Sequence, residues 1–179
     1  MDQMGLDTYK TALSLVSRYK TRDPFEIMEC RHVIVEESDR FSSLKGFCMI
    51  SNRIVYAILN GSLPDEEKNI VAAHELGHTV LHRQQLQMAP MRDSVLFTMK
   101  SRCEYEANLF TADFLIEDAD VESLIRDEGL DYFTLCGKLG TSPDLMAFKM
   151  YSMIKRGYNY SLPADLNSRF LAKVYGTPS

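Results

Sequence analysis

The chain has 179 residues, 45% of them hydrophobic and 25% charged, and a formal net charge of -5. That is enough for one ordinary domain with its own core, and the acidic balance argues against a protein whose main work is holding nucleic acid, although a total charge does not exclude a local basic face. No apolar run approaches the roughly 18 residues that span a bilayer, and the Met-Asp-Gln-Met-Gly start lacks the basic and apolar parts of a signal peptide. A cytoplasmic protein with no membrane partner is expected. Its widely spaced cysteines, Cys30, Cys48, Cys103 and Cys136, are read as reduced, buried thiols.

Leu6 to Tyr19 carries Tyr9, Leu13, Val16 and neighbouring apolar residues at helical spacing, as a packing helix does, with Asp7 as a candidate cap. Asp23 and Pro24 then open a short helix towards Cys30, the aspartate capping it and the proline taking its first position. From Arg31 the period changes. His32 to Glu36, Gly46 to Ile50 and Ile54 to Leu59 are short and rich in β-branched and aromatic residues, so three strands are expected, the last two joined as a hairpin through Ser51-Asn52-Arg53.

Asn60-Gly61-Ser62 ends the third strand, and a helix from about Pro64 to His82 follows, with acidic Asp65, Glu66 and Glu67 at its positive end. Inside it lies His74-Glu75-Leu76-Gly77-His78, an H-E-x-x-H sequence. Residues i and i+4 share a helix face about 6 Å apart, so the two imidazoles can converge on one metal ion, and zinc is the expected metal. Glu75 is turned about 100° from His74 and about 60° from His78, flanking the metal where a general base for the attacking water belongs. Gly77 costs roughly 1 kcal/mol in mid-helix against alanine, which implies that something approaches that turn closely. His82 lies about 12 Å along the axis from His74, too far to share the ion; substrate contact, oxyanion stabilisation, helix capping and local packing are its possible roles.

Arg83 to Lys100 has no clear period and reads as a loop, with Val95-Leu96-Phe97 folding against the site or resting on the core. A second strong helix runs from about Ser101 to Ile116, with Cys103, Ala107, Phe110 and Phe114 as its core stripe. Asp118 to Glu128, Asp131 to Lys138 and Ser142 to Arg156 are three further helices, and the tail beyond Gly157 is ambiguous. The last two helices, joined at Leu139-Gly140-Thr141-Ser142, have the outline of a helix-turn-helix. Their few scattered cations favour a helical cap on the core over a DNA reader. A catalytic zinc site needs a third protein ligand, and the segment Glu104-Tyr105-Glu106-Ala107-Asn108 offers a carboxylate on the second helix.

Two stretches, His74-Glu75-Leu76-Gly77-His78-Thr79-Val80-Leu81-His82 and Glu104-Tyr105-Glu106-Ala107-Asn108-Leu109-Phe110-Thr111-Ala112, resemble the paired signatures of the ImmA/IrrE metallopeptidase family. The likeness is strong over about residues 31–117 and looser after it. It implies a small gluzincin-like zinc peptidase domain in which His74, His78 and Glu104 hold zinc and Glu75 is catalytic. The family's usual Ala-Ala and Leu-Met-Pro endings are altered here to Thr111-Ala112 and Ile116-Glu117-Asp118. Helix geometry favours the same third ligand: Glu104 and Glu106 point about 160° apart, and Glu104 shares its side with Ala107, Asn108 and Thr111, which leave room for an ion. Glu106 is then read as a solvated surface carboxylate.

The expectation is therefore an α+β zinc peptidase of one domain, residues 1–179, with a short three-stranded sheet on the active-site helices and a helical extension from about residue 118. The resemblance further implies a protein substrate, a DNA-binding helix-turn-helix repressor, with no direct contact to nucleic acid. Glu117, Asp118, Asp120 and Glu122 would steer a basic partner or simply form a solvated helix start. The alternative is a metal-binding regulatory module that controls a repressor without cutting it. Loss of Glu75 would have indicated that module, and its presence favours the enzyme.

Overall fold

The computed structural model describes residues 3–93, 97, 101–163 and 166. The fold is α+β. In chain order its elements are α1 (Gln3–Tyr19), α2 (Pro24–Cys30), β1 (Val33–Ser38), β2 (Gly46–Ser51), β3 (Ile54–Asn60), α3 (Asp65–Leu81), α4 (Arg83–Met88), β4 (Met91–Asp93), α5 (Arg102–Leu115), α6 (Asp118–Glu128), α7 (Tyr132–Lys138) and α8 (Pro143–Lys155).

The three expected strands form, and β2 pairs antiparallel with β3 from Gly46 opposite Leu59 to Ser51 opposite Ile54. That register leaves Asn52 and Arg53 as a two-residue loop, both at positive φ (50° and 69°), the turn whose twist suits a tight hairpin. β1 pairs parallel with β3. A fourth strand was not expected: β4 adds antiparallel to β2, and the sheet order is β1-β3-β2-β4. The stretch read as a loop from Arg83 to Lys100 thus contains α4, with Leu86 buried, and this edge strand. Phe97 rests on the core 6.2 Å from the Phe148 ring, while Val95 and Leu96 lie outside the described residues.

Alternation along the strands turns Val33, Val55, Ala57, Leu59 and Cys48 inward, and α3 covers that face through Val71, Ala72 and Leu76. Gly46 permits close contact between sheet and helix: a Cβ there would lie 2.6 Å from Val71 Cγ1 and 2.9 Å from Glu75 Oε1. Gly77 does the same on the other side of α3, where a Cβ would lie 2.9 Å from Phe110 Cδ1 and 3.6 Å from the Ala107 Cα. The close approach implied by that glycine is therefore α5.

α5 is buried on more than one side, which a single stripe does not describe. Phe110 and Phe114 join the sheet, α1 and α3 in one apolar cluster. Tyr105, Leu109, Ala112 and Ile116 join α8 in a second. α1 begins earlier than expected, so Asp7 lies within the helix rather than capping it, and its most buried face is Gly5, Thr8, Ala12 and Leu15 rather than Tyr9, Leu13 and Val16. The four cysteines are thiols, but only Cys48 and Cys136 are buried; Cys103 is half-buried and Cys30 exposed at the end of α2.

The C-terminal helices start where their caps indicate. Asp131 accepts from the Phe133 and Thr134 amides, and Ser142 accepts from the Leu145 amide with Pro143 at the first position. α8 is enclosed from Leu145 to Met153, Lys149 included. The Lys149 ammonium is 3.1 Å from Asp113 and 2.6 Å from Asp118, Ser152 Oγ donates to Asp113 at 2.6 Å, and Arg156 grips Asp118 with both terminal nitrogens and stacks 3.6 Å over the Tyr9 ring. This network joins α1, α5, α6 and α8. Burial opposes ionisation of Asp118, but Arg156 and Lys149 outweigh it and hold the carboxyl far below its usual range. Burial, reinforced by Asp118, pushes the Tyr9 hydroxyl up to about 12. Of the acidic run after α5, Asp118 belongs to the network and Glu117 pairs with Arg22 at 2.9 Å on the surface, while Asp120 is a solvated residue of the helix start.

Gly77→Ala should lower stability by up to about 2 kcal/mol in urea unfolding, because overpacking against Phe110, costing roughly 1–3 kcal/mol, outweighs the gain of about 1 kcal/mol in helix propensity. Stabilisation by this change would contradict the packing. Asp118→Asn should lose about 2–3 kcal/mol at pH 7, somewhat below the roughly 3–5 kcal/mol of removing one partner from a fully buried ion pair because Asp118 keeps some exposure to water. The folded-state pKa lies below the unfolded value of about 3.9, so Asp118 contributes fully above that value and the contribution is lost as pH falls through the folded one. The deficit of the variant should therefore narrow between pH 4 and pH 3, and a deficit constant with pH would be the wrong result.

Candidate metal centre

α3 presents His74 and His78 one turn apart, His74 1% exposed and His78 fully buried, both facing the first turn of α5. Ser101 caps α5 by accepting from the Glu104 amide, which holds Glu104 in that turn. Its carboxylate then reaches across to α3. His74 Nε2 lies 3.0 Å from His78 Nε2 and 3.4 Å from Glu104 Oε2, and His78 Nε2 lies 3.5 Å from Glu104 Oε1.

Four tetrahedral donors at about 2.0–2.2 Å from zinc stand about 3.3–3.6 Å from one another. The separations of 3.4 and 3.5 Å, each to a different oxygen of Glu104, fall in that range and the 3.0 Å between the imidazoles is a few tenths of an ångström below it, so the three side chains converge closely enough to share one ion of that size with a fourth position left over. Among the described residues, His74, His78 and Glu104 form the one group of three or more His, Cys, Asp or Glu side chains that could hold a metal ion. Glu75 is fully buried on the adjoining face of α3, its Oε1 in the space that Gly46 leaves open. Asn108, one turn beyond Glu104 on α5, is fully buried as well.

His82 does not join the three, in keeping with its distance along α3. It forms a further layer instead: its Nδ1 is 3.0 Å from His78 Nδ1, and its Nε2 is 2.9 Å from Glu106 Oε2. Glu106 is not the solvated carboxylate expected of it. Its side chain is 15% exposed and also accepts from Arg102 Nε at 2.8 Å. Burial works against its ionisation, yet the bonds from Arg102 and His82 prevail and hold its pKa below the usual value. Glu104 and Glu106 do leave α5 on different sides, but both meet α3, one at His74 and His78 and the other a turn later at His82. The sequence signal for His82 was its i+4 spacing from His78. Nothing local marked Glu106 as its partner.

A cavity of about 590 Å³ opens elsewhere, between the first turns of α3 (Glu66, Ile70), the end of α5 and the α7–α8 turn. None of His74, His78 or Glu104 lines it.

Residues 32–151 match the family described as peptidase M78, IrrE N-terminal-like domain. The chain belongs to this family. The ImmA/IrrE likeness read from the two signatures is thereby correct, and the M78 match runs through α8 to Tyr151, past the point where the likeness was strongest. M78 peptidases depend on a metal, in keeping with the donor set assembled here. The chain is also 31% identical over 104 residues to uncharacterized immunity region protein 2 of Bacillus phage phi105. That alignment covers 58% of this chain and 65% of the phage protein, so the chain spans just under two thirds of that relative.

Protein prepared without chelator should carry about one divalent metal ion per chain by elemental analysis. His74→Ala and Glu104→Ala should lose it, while Glu106→Ala should still fill at saturating metal. Retention by Glu104→Ala with complete loss from Glu106→Ala would reverse the assignment of the third ligand.

Proposed function

We propose that the protein is a zinc-dependent endopeptidase that acts in the cytoplasm on a helix-turn-helix transcriptional repressor and relieves its repression. The observation that carries the chemical half is the triangle of His74, His78 and Glu104 donor atoms, 3.0–3.5 Å apart, with a buried carboxylate beside it. His74, His78 and Glu104 would hold a zinc ion, which would supply a Lewis acid to polarise a peptide carbonyl and acidify a water. Glu75 accepts the proton of the attacking water on a carboxylate oxygen and then delivers it to the leaving amine. Gly46 keeps that carboxylate unobstructed, since a Cβ there would crowd Oε1 at 2.9 Å. The two imidazoles and Glu104 stay fixed because α3 and α5 are clamped together at Gly77.

The choice of substrate rests on kinship. The phage relative bears the name of an immunity region protein, and the family resemblance points to repressors of mobile elements, prophages or stress genes. The chain's own surface adds little, because Glu117 and Asp118 already have internal partners. A nucleic-acid partner is not proposed: the helix that would serve as the DNA reader is α8, and it is enclosed in the core. Among the described residues no helix is long and apolar enough to cross a membrane.

Glu75→Gln should keep the fold and the metal but cleave the repressor encoded beside this gene roughly 10²–10⁴-fold more slowly, since an amide cannot take the proton. Peptide products followed by mass spectrometry with wild type and variant side by side provide the measurement. Tight, metal-dependent repressor binding with no cleavage by either protein would replace the enzyme with a non-cutting regulator.

A further inference from the structure

We propose that His82 and Glu106 are positioning residues for His78, setting which of its ring nitrogens carries the proton. The inference rests on the reading of His74, His78 and Glu104 as the metal-binding set. Its basis is the continuous chain that runs inward from exposed Arg102 Nε to Glu106 (2.8 Å), Glu106 to His82 Nε2 (2.9 Å) and buried His82 Nδ1 to His78 Nδ1 (3.0 Å). His82 is 2% exposed, so its two ring nitrogens depend on protein partners rather than water.

The direction of the hydrogen bonds follows from what each group can do. A carboxylate already paired with a guanidinium only accepts, so His82 must donate its Nε2–H to Glu106. With Nε2 carrying its one ring proton, His82 has a lone pair on Nδ1, and in that tautomer the 3.0 Å contact has His78 donate its own Nδ1–H there. His78 Nε2 is left with its lone pair, and that atom is the one 3.0 Å from His74 Nε2 and 3.5 Å from Glu104. With His82 unable to accept, the proton of His78 is free to move to Nε2 and occupy the direction a metal needs. Partners of this kind behind metal-binding histidines orient the ring and raise its basicity, and losing them weakens metal binding by about 10–100-fold.

The test is zinc affinity, measured by competition with a chromogenic chelator, in full-length wild type, His82→Phe, Glu106→Ala, Glu106→Gln and the double variant His82→Phe/Glu106→Ala. Thermal melting of each metal-free protein verifies the fold. His82→Phe keeps an aromatic ring but cannot accept from His78, and it should bind zinc about 10–100-fold more weakly. Glu106→Ala should also weaken binding, whereas Glu106→Gln retains an oxygen that accepts from His82 and should recover most of the loss. The double variant should bind no more weakly than His82→Phe, because Glu106 acts only through His82. Unchanged affinity in both single variants would overturn the inference, as would losses that add in the double variant or a Glu106→Gln protein as weak as Glu106→Ala. A wild type that binds no zinc, or a His74→Ala protein that binds it fully, would overturn the metal-site reading itself and the inference with it.

Discussion

The close contact of α3 with α5 is the constraint from which the rest of the site follows. Phe110 sits against Gly77 where any side chain would collide, and this brings the two helix backbones near enough for a single glutamate to span them. His74 and His78 on one helix supply only two of the three side chains of the candidate metal site. Glu104 completes it from the other helix, at 3.4 and 3.5 Å, because the contacts run in opposite directions along the pair: Gly77 meets Ala107 and Phe110, and the later His82 meets the earlier Glu106. A helix with a Cβ at position 77 would hold α5 away, and the carboxylates would lose their reach.

The remainder of the fold holds that pair in place from either side. The sheet packs on α3 through inward residues of β1, β2 and β3, and Gly46 lets β2 lie against Val71 and Glu75. On the far side α8 closes over α5 with an apolar face and a buried charge network centred on Lys149, Asp113 and Asp118. Such a network adds little net stability over an apolar equivalent, but with its geometric demands it favours one placement of α8, α6 and α1. The C-terminal helices are thus the outer support of the helix that bears Glu104, consistent with a family match that extends into α8 as far as Tyr151.

Much of this was legible in the sequence because it is locally encoded. The H-E-x-x-H spacing, the caps at Asp23, Asp131 and Ser142 and the Asn52-Arg53 turn each depend on residues within a few positions of one another. What escaped depends on distant partners. β4 has three residues and exists through its pairing with β2, so no periodicity announces it. The face of α1 was misjudged by about one residue, since Gly5, Thr8 and Ala12 are too small or polar to draw notice as an inward stripe. Asp118 looked like one of several surface acids, and Glu106 looked solvated, because Arg156, Lys149 and His82 come to them only through the packing of helices. The spacing of Glu104 and Glu106 correctly separated their directions but could not show that α3 passes within reach of both.

The central claim is that these helices bring His74, His78 and Glu104 onto one metal ion. Anomalous diffraction from crystals of the zinc-loaded protein tests it most directly, since it locates the ion without reference to activity. The account predicts a single strong anomalous peak about 2.0–2.2 Å from Nε2 of both histidines and from a Glu104 oxygen. A peak between His82 and Glu106, or one bound by His74 and His78 with Glu104 turned away, would contradict it.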